Sequence, residues 1–379
     1  MAYKQLTVLQ LLPALEGGGV ERGTLEVARA LVAEGHRSLV MSAGGRLVEQ
    51  LLAEGSEHIQ WDIGRKHLAT LLLIRPLRQL LIKEQVDIVH VRSRLPAWIL
   101  EFALRGMSAD KRPVRISTVH GLYSVSRYSA IMTRGEGVIA VSNTVRDYIL
   151  KNYPECPPEH IVVIPRGVDP AEFPRGYQPD AEWAERFFKQ FPQARHKALL
   201  TLPGRLTRLK GHHEFINLID ALIQGGHDVH GLIVGGEDPR RIAYAEELRE
   251  EVRQRGLDEH ITFTGSRFDM REIYAISRIV FSLSTKPESF GRTVVEALSM
   301  GVPVIGYDHG GVGEVLECLF PDGRATLGSQ AELINASEYL IKGSTTIPEN
   351  HTYTLQGMLQ QTLSLYAQLM ERDFPTDGS

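Results

Sequence analysis

Residues Ser284–Glu314 read S-T-K-P-E-S-F-G-R-T-V-V-E-A-L-S-M-G-V-P-V-I-G-Y-D-H-G-G-V-G-E. The apolar run before them, Arg278–Leu283, has the composition of a buried strand. A loop with Pro287 and Gly291 follows. Val294, Val295, Ala297 and Leu298 then keep a helical spacing that Gly301 stops, and Val302–Tyr307 is a second strand-like run. The segment is therefore a strand–loop–helix–strand unit. Its loop lies at the carboxyl end of a strand, where open α/β sheets bind ligands.

Two carboxylates stand in this unit, Glu288 in the loop and Glu296 in the helix, with seven residues between them. The free N–H groups of a helix start favour a phosphate, and Gly291 removes a side chain that would keep a ligand from the backbone. A carboxylate beside a diphosphate is stable where it accepts hydrogen bonds from neutral hydroxyls. This assigns a ribose to Glu296 and a sugar to Glu288. Spacing alone is equally compatible with a Glu296 that only complements the helix dipole and a Glu288 solvated in its loop.

A length of 379 residues suits two domains rather than one core. The two cysteines, Cys156 and Cys318, make neither a metal spacing nor a disulfide framework, which fits a reducing compartment. No apolar run is long enough to span a bilayer, and Met1–Gln5 leads directly into a strand, so no secretory leader is expected. Residues 1–165 hold 20 Lys and Arg against 16 Asp and Glu, leaving 22 against 30 beyond them. The basic first half favours an anionic acceptor or membrane face. With an acidic total and no basic-aromatic stripe, nucleic acid is not an expected partner.

The remaining chain alternates strands and helices. Leu6–Leu12 is a strand that ends in Glu16-Gly17-Gly18-Gly19, and a helix runs from Val20 to Glu34. Glycines there admit a phosphate or sugar to the backbone. The spacing misses G-x-G-x-x-G at Arg22, and no acidic residue closes the next strand, Arg37–Met41, so a nicotinamide dinucleotide is disfavoured. Leu68–Lys83 has the apolar spacing of one helix, with basic residues interleaved. It either packs on the sheet with its basic face in water or lies on an anionic membrane. Arg92 and Arg94, in a loop after the strand Asp87–Val91, either meet an anionic or polyhydroxyl acceptor or are solvated. Strand Arg115–Val119 ends in His120-Gly121, and Tyr123, Arg127 and Tyr128 follow in a polar loop suited to an acceptor. Ser142 or Asn143 caps the helix Thr144–Asn152. The stretch from Pro165 to about Arg195, rich in Pro and charge, reads as the hinge. Ala198–Leu202 then opens a second domain, and its loop carries Gly204, Arg205, Arg208 and Lys210. Two cations there could clamp a diphosphate as charge develops on its leaving oxygen. Leu355, Met358, Leu359, Leu363, Tyr366 and Met370 make the last segment, Thr354–Met370, an amphipathic helix.

The block around Glu288 resembles the donor-binding signature of glycosyltransferase family 4. It has Pro287, Glu288, Phe290, Gly291 and Glu296, then Ala297 to Val304, Gly310-Gly311 and Glu314. The resemblance extends over most of the chain. It implies an α/β fold of the GT-B type, two Rossmann-like doubly wound domains facing a cleft. The N-terminal acceptor domain would span 1–168, with helix 354–371 returning to it, and the donor domain with its linker 169–353. It implies a metal-independent, retaining hexosyltransferase with no cofactor, using a UDP- or GDP-linked sugar as substrate. Catalytic roles fall to His120, Glu288, Arg205 and Lys210. Donor contacts fall to Gly18, Gly19, Gly204, Gly265, Arg267, Ser289, Phe290, Gly291, Arg292, Thr293, Val294 and Glu296. Gly18 and Gly19 would face the diphosphate, His120 the donor sugar, and the loop Gly265–Arg267 the nucleobase. Arg292 departs from the aliphatic residue common at its position, and could add a cation near the diphosphate or touch an acceptor phosphate. Arg92, Arg94, Tyr123, Arg127 and Tyr128 are the acceptor candidates.

No enzymic nucleophile stands out, which fits a front-face mechanism in which the leaving phosphate helps take the acceptor's proton. The acceptor is expected to be a glycan or lipid-linked glycan, in lipopolysaccharide-core or surface-polysaccharide assembly. The expected location is cytoplasmic, with peripheral contact to the inner membrane allowed. The other readings are a GT-B sugar-nucleotide 2-epimerase and a non-catalytic subunit that binds a nucleotide-sugar.

Overall fold

The computed structural model describes residues 5–237, 242–343 and 345–372. The chain divides into two compact units, residues 1–165 with 356–379, and residues 166–355. The first contains β1 (Thr7–Leu11), α1 (Gly19–Ala33), β2 (Arg37–Ser42), α2 (Val48–Ala53), β3 (Glu57–Gln60), α3 (Ile74–Lys83) and β4 (Ile88–Val91). It continues through α4 (Arg94–Leu104), β5 (Val114–Val119), β6 (Gly137–Ala140), α5 (Asn143–Asn152) and β7 (Ile161–Val163). All seven strands are parallel, in the order β3-β2-β1-β4-β5-β6-β7.

The second unit contains α6 (Ala181–Gln190), β8 (Ala198–Pro203), α7 (His212–Gln224), β9 (Val229–Val234), α8 (Ile242–Gln254), β10 (Ile261–Gly265) and α9 (Met270–Ile276). After these come β11 (Ile279–Ser282), α10 (Arg292–Ser299), β12 (Val304–Tyr307), α11 (Gly310–Leu319), β13 (Arg324–Ala325) and α12 (Gln330–Lys342). Its parallel sheet runs β10-β9-β8-β11-β12-β13. Both units are doubly wound α/β sheets. The central strands are buried along their length because helices cover both faces, which is why they are rich in Val, Ile and Leu. Strand order reverses between β1 and β4 and between β8 and β11, and such switch points open a crevice at the carboxyl ends of the strands.

The last helix, α13 (Leu355–Arg372), belongs to the first unit from residue 356 onward. A buried polar chain fixes it there. The Tyr366 hydroxyl lies 2.6 Å from Nδ1 of His90 on β4, and Nε2 of His90 lies 2.6 Å from Oγ1 of Thr118 on β5. Burial pushes the Tyr366 phenol above its ordinary range, so it stays a neutral hydroxyl at physiological pH, with nearby Arg92 pulling the other way.

Three local expectations are corrected. Residues 68–83 are not one helix: a 3₁₀ turn, Leu68–Leu73, precedes α3, and the turn buries Thr70 while α3 buries Leu77 and Leu81. The stretch 165–195 is not wholly linker, since α6 places Trp183 and Phe187 in a buried cluster with Leu199, Leu232 and Ile273. The residues after Arg92 form a helix rather than a loop. Pro96 falls in the first turn of α4, where a missing N–H breaks no helical hydrogen bond.

Candidate functional site

At the switch point of the second unit the loops after β8 and β11 lie side by side. The Thr285 N–H donates to the Leu209 carbonyl at 2.9 Å. Gly211 has φ +73°, and a Cβ there would stand 2.1 Å from the Leu283 carbonyl oxygen, so only glycine lets the two loops approach this closely. The loop after β9 braces the first one, with Gly204 N–H donating to Val234 and Leu206 N–H to Gly236. The start of α11 closes the other side. Gly311 N–H donates to the Glu288 carbonyl at 2.8 Å, and His309 Nε2 lies 2.7 Å from the Ser284 carbonyl. A Cβ on Gly311 would sit 2.5 Å from the Phe290 Cα.

These loops bring Lys210 to Glu288, Nζ donating to Oε1 at 2.7 Å. The Ser284 hydroxyl donates to the same oxygen. Oε2 carries neither donor, so the carboxylate keeps acceptor capacity for a hydroxyl. Both members of the ion pair are partly exposed, 32% and 26% of the side chain, and so reachable by a ligand. Arg205 is exposed in the same loop as Lys210. Arg208, by contrast, points its guanidinium at Glu247 and the Tyr244 ring and is tied to α8.

Eight residues beyond Glu288, Glu296 is buried on α10 with 6% exposure. Arg292 Nε donates to its Oε1 at 2.9 Å and the Tyr274 hydroxyl to its Oε2 at 3.0 Å. The dipole-only reading is insufficient here, because a solvated helix-start carboxylate would not carry two fixed donors. Arg292 is joined to Glu296 across one helical turn. Among the neighbours, Ser289 and Thr293 are half-buried. Val294 is fully buried. Phe290 is 9% exposed, with its ring edge-on to Tyr353 at 5.6 Å.

Gly265 is exposed at φ +72° where β10 ends and its loop begins. Arg267 in the same loop is held by the Asp269 carboxylate, which also accepts from Trp183 Nε1. Burial works against the charged form of Asp269, and these donors nevertheless hold the carboxyl below its ordinary range. The Arg267 guanidinium is thereby committed toward Phe187 rather than left as a mobile cation.

In the first unit Gly18 is the N-cap of α1 and Gly19 its first residue, where a Cβ would meet nothing within 4 Å. Only Gly17 needs glycine, with φ +132° and the Arg46 side chain against it. His120 is half-buried, and its N–H donates to the Tyr123 hydroxyl at 3.4 Å. Arg94 lies over both the Tyr123 and Tyr128 rings, at 4.8 and 5.3 Å, and donates to Ser129. Arg127 is exposed and lines a cavity of about 370 Å³ with Val125, Arg134, Asn152 and Tyr153. Arg92 is corrected: it is neither solvated nor on a loop surface. It is 3% exposed, with Nε and Nη2 donating to Gln10 Oε1 at 2.9 and 2.5 Å. Burial lowers its pKa, opposed by Tyr366 and Glu26. Gln10 in turn donates to the Thr24 carbonyl, so Arg92 ties β4 to β1 and α1.

Sequence reading missed Ser284 as a partner of Glu288 and Tyr274 as a partner of Glu296. Ser284 lies four residues before Glu288 in the same stretch and was within reach. Tyr274 lies 22 residues from Glu296 and carries no local signal. Among the described residues no three His, Cys, Asp or Glu side chains are grouped to hold a metal ion.

The family model for Glycosyltransferase Family 4 matches residues 17–172, and that for Glycosyl transferases group 1 matches residues 184–343. The chain belongs to glycosyltransferase family 4. Its two sheets are the pair of Rossmann-like domains of the GT-B architecture. A crystal structure of a glycosyltransferase from Rickettsia africae superposes with a TM-score of 0.83 at 28% identity, covering 97% of this chain and 100% of that one. One component of the human phosphatidylinositol N-acetylglucosaminyltransferase is 26% identical over 389 residues, covering 95% of this chain and 75% of that protein. The lipopolysaccharide core biosynthesis mannosyltransferase LpsB of Rhizobium meliloti is 30% identical over 113 residues, 30% of this chain and 32% of that protein. As a family 4 glycosyltransferase, the chain carries its Lys210–Glu288 and Arg292–Glu296 pairs within the group 1 region and His120 within the family 4 region.

Proposed function

We propose that this glycosyltransferase moves a hexosyl group from a UDP- or GDP-linked sugar to a hydroxyl of a glycan or lipid-linked glycan. Transfer proceeds with retention and without a metal ion. The observation that carries the reading is the Lys210–Glu288 pair at the switch point of the second unit, with Arg205 exposed in the same loop as Lys210. Arg205, Lys210 and the amides at the start of α10 neutralise the diphosphate as its leaving oxygen gains charge. Glu288 accepts from sugar hydroxyls through the oxygen that Lys210 leaves open, and Glu296 accepts from the ribose. His120 holds a donor hydroxyl near the reacting carbon. The leaving phosphate takes the acceptor proton. Arg94, Tyr123, Arg127 and Tyr128 of the first unit supply the acceptor site.

The lipopolysaccharide and phosphatidylinositol relatives support a lipid-linked acceptor, and we place the reaction in surface-polysaccharide or lipopolysaccharide-core assembly at the cytoplasmic side of the inner membrane. A thermal-shift screen of nucleotide-sugars tests the donor. At a hundred times its dissociation constant a true donor adds about 2.7 kcal/mol of stability. Transfer assays with the stabilising donor, read by the anomeric signal of the product, then test retention. An inverted product, or stabilisation by no nucleotide-sugar, refutes the proposal.

A further inference from the structure

The 3₁₀ turn Leu68–Leu73 turns its leucines outward. Leu68 is 82% exposed, Leu72 76% and Leu71 46%, and the first two are the most exposed large hydrophobic side chains among the described residues. The turn is nevertheless held in place. Thr70 is buried, and its hydroxyl donates to the Arg65 carbonyl at 2.7 Å. The Thr70 N–H donates to the His67 carbonyl, and His67 Nδ1 accepts from the Ala69 N–H at 3.1 Å. Three residues per turn put Leu68 and Leu71 on one side and Thr70 on the other. Anchoring Thr70 therefore presents the leucines to solvent. The adjoining α3 cannot roll to cover them, since Leu77 and Leu81 already hold its apolar face inside.

The cations around the leucines choose among possible occupants. Arg65, Lys66 and Arg75 are exposed, while Asp62 is the only acidic residue from 61 to 83. Arg65 reaches Asp62 only loosely, at 3.9 Å. Arg78 is turned away, its Nε donating to the Ala103 carbonyl. A second copy laid on this turn would oppose like charges. A turn of six residues is also far short of the roughly 800 Å² that each partner buries in a stable protein interface. A lipid bilayer needs no matching surface: each leucine can enter the acyl boundary alone while the cations meet anionic headgroups.

We infer that residues 65–75 are a docking surface for an anionic lipid bilayer, on which the protein rests without crossing. No described helix is long and apolar enough to cross a membrane. The inference is independent of the sugar chemistry in the second unit, since either can hold while the other fails. Flotation of the full chain with vesicles tests it, comparing phosphatidylcholine alone with an equal mixture of phosphatidylcholine and phosphatidylglycerol. Three cations near the surface make partitioning onto the mixed vesicles on the order of a hundredfold stronger at low salt, and the preference falls as salt screens it.

Leu68→Glu with Leu72→Glu should return binding to background, and Lys66→Glu with Arg75→Glu should remove the preference for phosphatidylglycerol, each with unchanged Tm. Equal binding to the two vesicle types overturns the inference, as does full binding by the leucine double variant. A change in oligomeric mass in that variant, with vesicle binding intact, also overturns it and assigns the turn to a second copy.

Discussion

Replacing Lys210 with alanine separates a clamp on the diphosphate from a mere ion pair. At 2.7 Å the direct Coulomb attraction between Nζ and the Glu288 carboxylate is about 6 kcal/mol at an effective dielectric of about 20. Both side chains remain partly exposed, so desolvation, ordering and screening cancel most of it, and the net contribution to stability is about 1 kcal/mol. That shifts the Tm of a unit this size by about 2–4 °C. The loss in transfer should be much larger. A preorganised donor aimed at developing charge contributes about 2.7–4 kcal/mol to the barrier, so kcat should fall by about 10²–10³. The assay pairs single-turnover sugar transfer with a melt on the same preparation. A kcat within about threefold of wild type refutes the clamp. A large loss of kcat accompanied by a Tm drop of 10 °C or more would mean that the loop had collapsed, and would refute the argument that the pair is a minor structural element.

Tyr274→Phe removes one fixed donor from the buried Glu296 carboxylate, and an unsatisfied buried acceptor costs about 1–3 kcal/mol. Calorimetry should therefore show donor binding weakened about tenfold or more, with kcat at saturation less affected. EDTA should leave turnover unchanged, and a chelator-sensitive rate that Mg²⁺ restores would remove the cation-only account. Gly211→Ala forces a Cβ toward the Leu283 carbonyl at positive φ, and should lower Tm by several degrees and reduce transfer together. Burial lowers the pKa of His212 and of His230 from an ordinary 6.5 to about 4. Between these values the unfolded chain binds more protons than the folded one. Their contribution is thus whole above pH 6.5 and is lost as pH falls toward 4. His230→Gln, which retains a partner for Thr262, should flatten that slope in melts taken across the window.

The strands around the site were legible because parallel strands covered on both faces are mostly apolar. β11, β12 and the loop carrying Glu288 therefore stand out by composition. Ser142 was legible as a cap and does accept from the Val145 N–H at 3.1 Å. Contacts between distant residues were not legible. Arg92 reads as a surface cation because the partner that lets it be buried, Gln10, lies 82 residues away. Helix α6 was hidden by the prolines and charges around Trp183 and Phe187, whose spacing becomes meaningful only when β8 and β9 supply a surface to cover. Arg292 was read by its charge, whereas its position one turn before Glu296 decides where its Nε goes.

The placement of Tyr366 against His90 has a consequence for how the protein is made. The second unit, 166–355, is a continuous stretch and can complete its fold without residues from elsewhere in the chain. The first cannot, because His90 and the neighbouring Arg92 wait beneath an uncovered patch until residues 356–372 have been synthesised some 270 residues later. The half that is synthesised first is thus not complete until residues 356–372 have been made.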